Sequence, residues 1–269
     1  MTGDSSHAPP GTSKPKSAVP AVEKALDVLE LVAGAPNGLT MNEIVEALGR
    51  TMGELYRVVV YMAERGYLRQ NPETGRYALT LRLFELSHRH DPTERLIHEA
   101  LPRLERIAAQ TNQSCHLGVL NRDNVLVLTS VQSPLPAGYA VRTGALFPVR
   151  QTSSGHVILA YSDDDVQSRH IQRQPEDMRG ALRARLARIR DEGGEDTPST
   201  MIAGVRNLCA PVFDTRGVAA AITIGFIGRA DASASAGETF AILRAAALEL
   251  SCALGFNPDA SPFGPALTS

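Results

Sequence analysis

Cys115 and His116 are adjacent in "SCHLGVL", and a thiol beside an imidazole is the pairing that nucleophilic catalysis uses. Adjacency works against it here. The segment has strand character, and successive strand side chains point to opposite faces, so the two groups cannot share a proton. His88 and His90 are two apart on a predicted helix, which separates them and disfavours a metal pair. Cys115, Cys209 and Cys252 form no C-x-x-C pair, which argues against a zinc knuckle and a disulfide framework. The chain has no P-loop, no G-x-G-x-x-G after a strand and no H-E-x-x-H. These residues predict a protein that is not an enzyme and needs no metal or cofactor.

Two other stretches carry binding chemistry. "TGALFPVRQTSSGH" (143–156) joins a glycine turn and a proline to a Thr-Ser-Ser-Gly helix start, and free N–H groups at such a start favour an anion, carboxylates included. Equally, Thr152 or Ser153 need only cap its helix. "TMGELYRVVVYMAERGYL", from Thr51, has the pattern of a helix that enters a DNA groove, with a glutamate near its start. Thr51 and Glu54 fit a capping box. Glu54 also has the chemistry to accept from a cytosine amino group, and the two roles are compatible.

These residues need elements to hold them. Val22, Ala25, Leu26, Leu29 and Val32 predict a first helix, stopped by "GAPNG". Thr40 and Glu43 open a second, ended by Gly49. The third carries Leu55, Val58, Val59 and Met62 and closes at Gly66. "YLRQ" and "RYAL" around "NPETG" read as a hairpin. Three helices followed by a β-hairpin make a winged helix-turn-helix, whose later helix enters the major groove. From Arg50 to Arg89 seven arginines face four glutamates, a local excess of three. Arg76, just past the hairpin tip, is expected at a phosphate or in the minor groove. Tyr56 and Arg57 are expected to anchor the recognition helix.

"LRLFELSHRH" predicts a linker helix, and Asp91-Pro92 a further helix start, with a kink at Pro102. Beyond it, "SCHLGVL", "NVLVLTSV", "GYAVR", "NLCAPVF" and "VAAAITIGFI" read as strands. "SSGHVILAYS", "DMRGALRARLARIR" and Ala236 to Leu254 read as helices. This is an α+β domain.

In order, "AVPAVEKALDVLELV", "LTMNEIVEALG", "LYRVVVYMAERGYL", "PETGRYALTLRLFEL", "GALFPVRQTSSGHVILA" and "GVRNLCAPVFDTRGVAAAITI" resemble the isocitrate-lyase-regulator (IclR) family of bacterial transcription factors, from about Ala18 to Phe256. The resemblance implies an α/β multidomain protein: a winged helix-turn-helix (18–80), a linker helix (81–92) and a GAF-like α+β effector domain (93–258). It also implies homodimers or tetramers on a double-stranded, inverted-repeat operator, responsive to a small-molecule effector. Members carry a Lys-Ser-Thr-like DNA-contacting set where this chain has Met52, Gly53 and Glu54, a departure. They line the effector pocket with the Thr152, Ser153 and Gly155 block and with polar side chains at the positions of Asn207, Cys209, Thr223 and Gly225. Some sensors of small oxo-acids have cysteine in place of Asn207 and serine in place of Gly225. With Phe147 and Ile224 as walls, the expected ligand is a small organic acid or sugar acid. The competing reading is an enzyme or metabolite-binding protein that retains a winged helix as an interaction module.

Composition agrees with a folded protein: 43% hydrophobic, 21% charged and a net charge of −2, which leaves any DNA affinity to a local patch. The longest apolar run, Val218 to Ile227, is half what a membrane helix needs. Residues 1–17, rich in Ser, Pro and Gly, read as a disordered tail without a signal-peptide core, and 259–269 as a flexible tail. The expected setting is a reducing cytoplasm, with no membrane contact.

Overall fold

The computed structural model describes residues 19–88, 93–136, 138–228, 234–261, 263 and 266–267. The chain divides into two compact units, Met1–Asp91 and Pro92–Ser269. The reading of residues 1–17 as a tail, the Asp91-Pro92 helix start and His90 lie outside the described residues, as does the side chain of His88.

In the first unit Pro20 opens α1 (Pro20–Ala33), where its missing N–H costs nothing. The N–H of Thr40 donates to Glu43 Oε2 at 2.7 Å and the N–H of Glu43 returns to Thr40 Oγ1 at 3.3 Å, capping α2 (Met41–Ala47). A short turn leads to α3 (Met52–Glu64), then β1 (Leu68–Gln70), β2 (Tyr77–Leu79) and α4 (Arg82–His88). The hairpin is tied back to the helices, since Leu39 exchanges backbone hydrogen bonds with Tyr77 at 2.7 and 2.9 Å. Val28, Val32, Ile44, Leu55, Val59, Met62, Leu68 and Tyr77 form the core. The apolar pattern of α1 is wider than its buried face, and Val22 and Leu26 stand about half exposed.

The second unit begins with α5 (Glu94–Thr111), which runs unbroken through Pro102. An antiparallel sheet follows, from β3 (Cys115–Asn121), β4 (Asn124–Val131), β5 (Leu146–Pro148), β6 (Glu195–Pro198), β7 (Val205–Asp214) and β8 (Gly217–Ile227), in the order β5-β4-β3-β8-β7-β6. Between β5 and β6 lie a 3-10 turn (Val149–Gln151), α6 (Ser153–Tyr161), α7 (Asp164–Gln172) and α8 (Glu176–Glu192), and α9 (Ala236–Ala253) follows β8. Strand alternation sorts the side chains. Cys115, Leu117, Leu208, Ile222 and Ile224 pack with Leu104, Ile107, Leu243 and Leu250 of α5 and α9. The other face, including Cys209 and Ala221, packs with α6 and α8.

Two expectations are corrected, and two elements were not foreseen. "GYAVR" is not a strand: the β4 edge is taken by Leu146–Pro148, and residues 138–142 run past without a ladder. α7 and β6, both rich in polar residues, are not among the expected elements. Residues beyond 258 are not loose where described: Phe263 packs edge-on against Tyr161 at 5.0 Å, and Arg244 Nη2 donates to the Ala266 carbonyl at 2.6 Å.

Candidate effector pocket and DNA-contacting surface

At the start of α3, Met52, Gly53, Glu54, Tyr56 and Arg57 are all exposed. Glu54 is a cap: its Oε2 accepts from the Thr51 N–H at 3.0 Å and the Thr51 hydroxyl at 2.9 Å, while Oε1 pairs with Lys24 Nζ at 3.3 Å. The Glu54 N–H also donates to the Thr51 carbonyl at 3.1 Å. The Thr51 bonds, and then Lys24, pull the Glu54 carboxyl down to about 2. Both oxygens are engaged within the domain.

The arginine excess shrinks on folding. Arg76 does not reach outward: its guanidinium forks onto Glu43 at 2.9 and 3.1 Å and donates to the Gly38 carbonyl, clamping the hairpin to α2. Its placement near a hairpin tip was legible; its partner, 33 residues away, was not. Arg50 pairs with Asp27 at 2.9 Å and Arg82 with Glu85 at 3.0 Å. Arg57 and Arg69 are exposed and make no ion pair among the described residues.

In the second unit, β3, β7 and β8 align a polar row. His116 lies opposite Thr223, Thr223 opposite Cys209 and Cys209 opposite Glu195, and in the next row Asn207 faces Gly225. Above the near end of these rows is a pocket. Of the residues singled out in the sequence, Phe147, Thr152, Ser153, Asn207, Thr223 and Gly225 are brought together in its lining. His116, Tyr139, Val141, Gln151, Ser154 and Ser199 to Met201 line it as well. His116 is legible from alternation once Cys115 is placed in the core. Tyr139 and Val141 are hidden because their segment has the composition of a strand.

Three expected pocket residues serve elsewhere. Cys209 is fully buried one step behind Thr223, its Sγ 3.1 Å from Thr223 Oγ1. Ile224 points to the opposite face, into the α5 and α9 core. Gly155 does not line the pocket: a Cβ there would lie 1.9 Å from the Val149 carbonyl oxygen, so the bare Cα is what lets α6 rest on the 3-10 turn.

That seating fixes the helix start. Thr152 Oγ1 accepts the Gly155 N–H at 3.2 Å, and His156 Nε2 donates to the Arg150 carbonyl at 3.0 Å. Behind His156, the buried Glu195 accepts from Arg185 Nε at 2.5 Å. Every residue of α6 is buried, so its first turn cannot shift alone.

The electrostatics suit recognition rather than nucleophilic attack. Burial pushes the Cys115 thiol up to about 12 and lowers His116 to about 4, leaving both neutral at pH 7. Cys115 Sγ meets the Leu104 carbonyl on one side of β3 while His116 faces the pocket on the other. Desolvation also raises the Cys209 thiol well above its usual range. Among the described residues no lining side chain is a lysine, arginine, aspartate or glutamate. The described residues contain no group of three or more His, Cys, Asp or Glu able to hold a metal, and no helix long and apolar enough to cross a membrane.

A winged helix-turn-helix in one unit and, in the other, a pocket with no charged lining side chain among the described residues define a class: a DNA-binding regulator with a sensory domain. Residues 21–72 match the IclR helix-turn-helix domain, and residues 92–252 match the bacterial transcriptional regulator IclR C-terminal family. The chain belongs to the IclR family and is a transcriptional regulator. It is 26% identical over 253 residues to the HTH-type transcriptional regulator KdgR of Escherichia coli (strain K12), covering 91% of this chain and 96% of KdgR. An IclR homolog of Microbacterium hydrocarbonoxydans, solved as a complex with 4-hydroxybenzoate, superposes with a TM-score of 0.75 at 25% identity, over 87% of this chain and 98% of that one. The Thermotoga maritima IclR has the same fold, with a TM-score of 0.69 at 20% identity over 87% and 98% of the two chains.

Proposed function

We propose that the protein is a ligand-responsive repressor or activator whose effector is a small organic acid or sugar acid held in the pocket at the start of α6. The observation that carries this reading is Ser153, only 4% exposed and lining the pocket with no hydrogen-bond partner for its hydroxyl among the described residues. That hydroxyl opens into the pocket, where a ligand can take it. The start of α6 adds amide donors and the positive end of a helix dipole. The solved Microbacterium homolog, with an organic acid bound, supports the same class.

On the DNA side, Met52, Gly53, Tyr56 and Arg57 present the reading surface, with Arg57 and Arg69 as the cations available to phosphates. Glu54 shapes the helix start and keeps unmatched phosphates at a distance, and Arg76 holds the wing in place for contact. Homodimers, or tetramers built from them, bring two such helices to an inverted repeat, and the effector shifts the population between their arrangements.

The test is capture of genomic DNA by the purified protein, followed by anisotropy titration of the best fragment at two salt concentrations. An enriched inverted repeat should bind with a steep salt slope, which Arg57→Ala lowers by about 0.9 for each phosphate it no longer neutralises. A panel of organic and sugar acids should then change that affinity. Absence of any enriched repeat, with and without the acids, would overturn this regulator mechanism.

A further inference from the structure

We propose that the pocket takes an aromatic monocarboxylate, its carboxylate at the start of α6 and its ring against Tyr139. This narrows the effector class and rests on the reading of the pocket as the effector site.

The pocket has two unlike ends. At one, the buried residue Ser153 turns its unpartnered hydroxyl to the pocket, and no protein acceptor among the described residues takes the Ser153 and Ser154 amides, whereas the Gly155 amide is used by Thr152. First-turn amides of a helix have no intrahelical acceptor, so these donors converge on one anionic group. At the other end the wall is apolar. Tyr139 lies so close to Gly225 that a Cβ there would sit 2.5 Å from its Cδ1. The glycine thus leaves on the strand floor the space its ring occupies, and Val141, Phe147 and Met201 continue the wall.

Each end limits the ligand. A single carboxylate is met by the helix start, but a second would be desolvated without a counter-charge, because among the described residues no ionised side chain lines the pocket. Enclosure keeps His116 neutral at pH 7, so it supplies no cation. A sugar acid carries hydroxyls along its length, and those against Val141, Phe147 and Met201 would lose water without gaining partners. An aromatic ring has no such requirement and gains from a neighbouring aromatic face or edge. A short oxo-acid would fill the polar end and leave the Tyr139 wall unused.

The test is isothermal titration calorimetry of the full-length protein with benzoate, phenylacetate, gluconate, pyruvate and phthalate. At least one of benzoate and phenylacetate should bind about tenfold more tightly than gluconate, pyruvate and phthalate. Tyr139→Ala should lose about that factor and Tyr139→Phe should retain affinity, while Ser153→Ala weakens every acid that binds. Far-UV circular dichroism confirms that each variant is folded. Gluconate or pyruvate binding as tightly as the aromatic acids, with sensitivity to Ser153→Ala, would overturn the aromatic assignment and leave the effector site standing. No binding by any acid, or binding indifferent to both Ser153 and Tyr139, would overturn both.

Discussion

Replacing Gly155 by alanine tests how α6 is held. The added Cβ would lie 1.9 Å from the Val149 carbonyl oxygen, 2.6 Å from its carbon and 2.7 Å from its Cα. All three are backbone atoms, so no side chain can swing aside. The helix cannot retreat either, because all nine of its residues are buried. Relief therefore requires moving the helix or the 3-10 turn, and forced overpacking of this kind costs about 3 kcal/mol, the upper part of its usual range. In a unit of this size each kcal/mol moves the midpoint by about 2–4 °C, so the melt should fall by about 6–12 °C. Gly180 is the matched control. It lies within α8, and a Cβ added there would meet nothing within 4 Å. The same change there should stabilise by about 0.5–1 kcal/mol, since alanine loses less backbone entropy in a helix. Differential scanning calorimetry of both variants reads the opposite signs directly. A Gly155→Ala protein as stable as the parent would refute the packing role and reopen a ligand role for that position.

Ser251 bridges a helix to the sheet, donating to the Ala247 carbonyl at 2.7 Å and accepting the Phe213 N–H at 2.9 Å. Ser251→Ala strands that buried amide and should cost about 1–3 kcal/mol in urea unfolding; a neutral result would show the amide is satisfied otherwise. Glu54→Gln removes a negative charge from the start of α3 and should strengthen binding to random DNA in anisotropy titrations, an effect that unchanged or weaker binding would contradict. Arg76→Ala should raise hydrogen exchange at the Leu39 and Tyr77 amides, whose backbone pairing the Glu43 clamp supports; unaltered exchange would argue that the arginine is free for DNA. His116 is held below its usual range, so its neutral form favours the fold: the contribution is complete above about pH 6.5 and is lost as pH falls towards about 4. Imidazole NMR showing protonation of His116 near pH 6.5 in the folded protein would refute its enclosure.

Local patterns determined much of this protein. The capping pair Thr40 and Glu43, the apolar stripe of α3 and the "NPETG" turn specify the winged helix because each acts over a few residues. The resemblance in "GALFPVRQTSSGHVILA" pointed to Thr152 and Ser153. Alternation along β3 separated Cys115 from His116, since a strand's period is two in any fold. What only the tertiary structure decided depends on partners distant in the chain. Arg76 is an expected DNA contact until Glu43 takes its guanidinium, and Lys24 occupies the second oxygen of Glu54. Asn207 and Cys209 are both inward on β7, but only the register with Thr223 puts the thiol behind the pocket wall. Tyr139 belongs to a segment that reads as a strand and is none, because Leu146–Pro148 fills the edge of β4 in its place. Hydrophobic periodicity states which way a side chain points; which neighbour it meets there is settled by pairing across the sheet and by packing between elements.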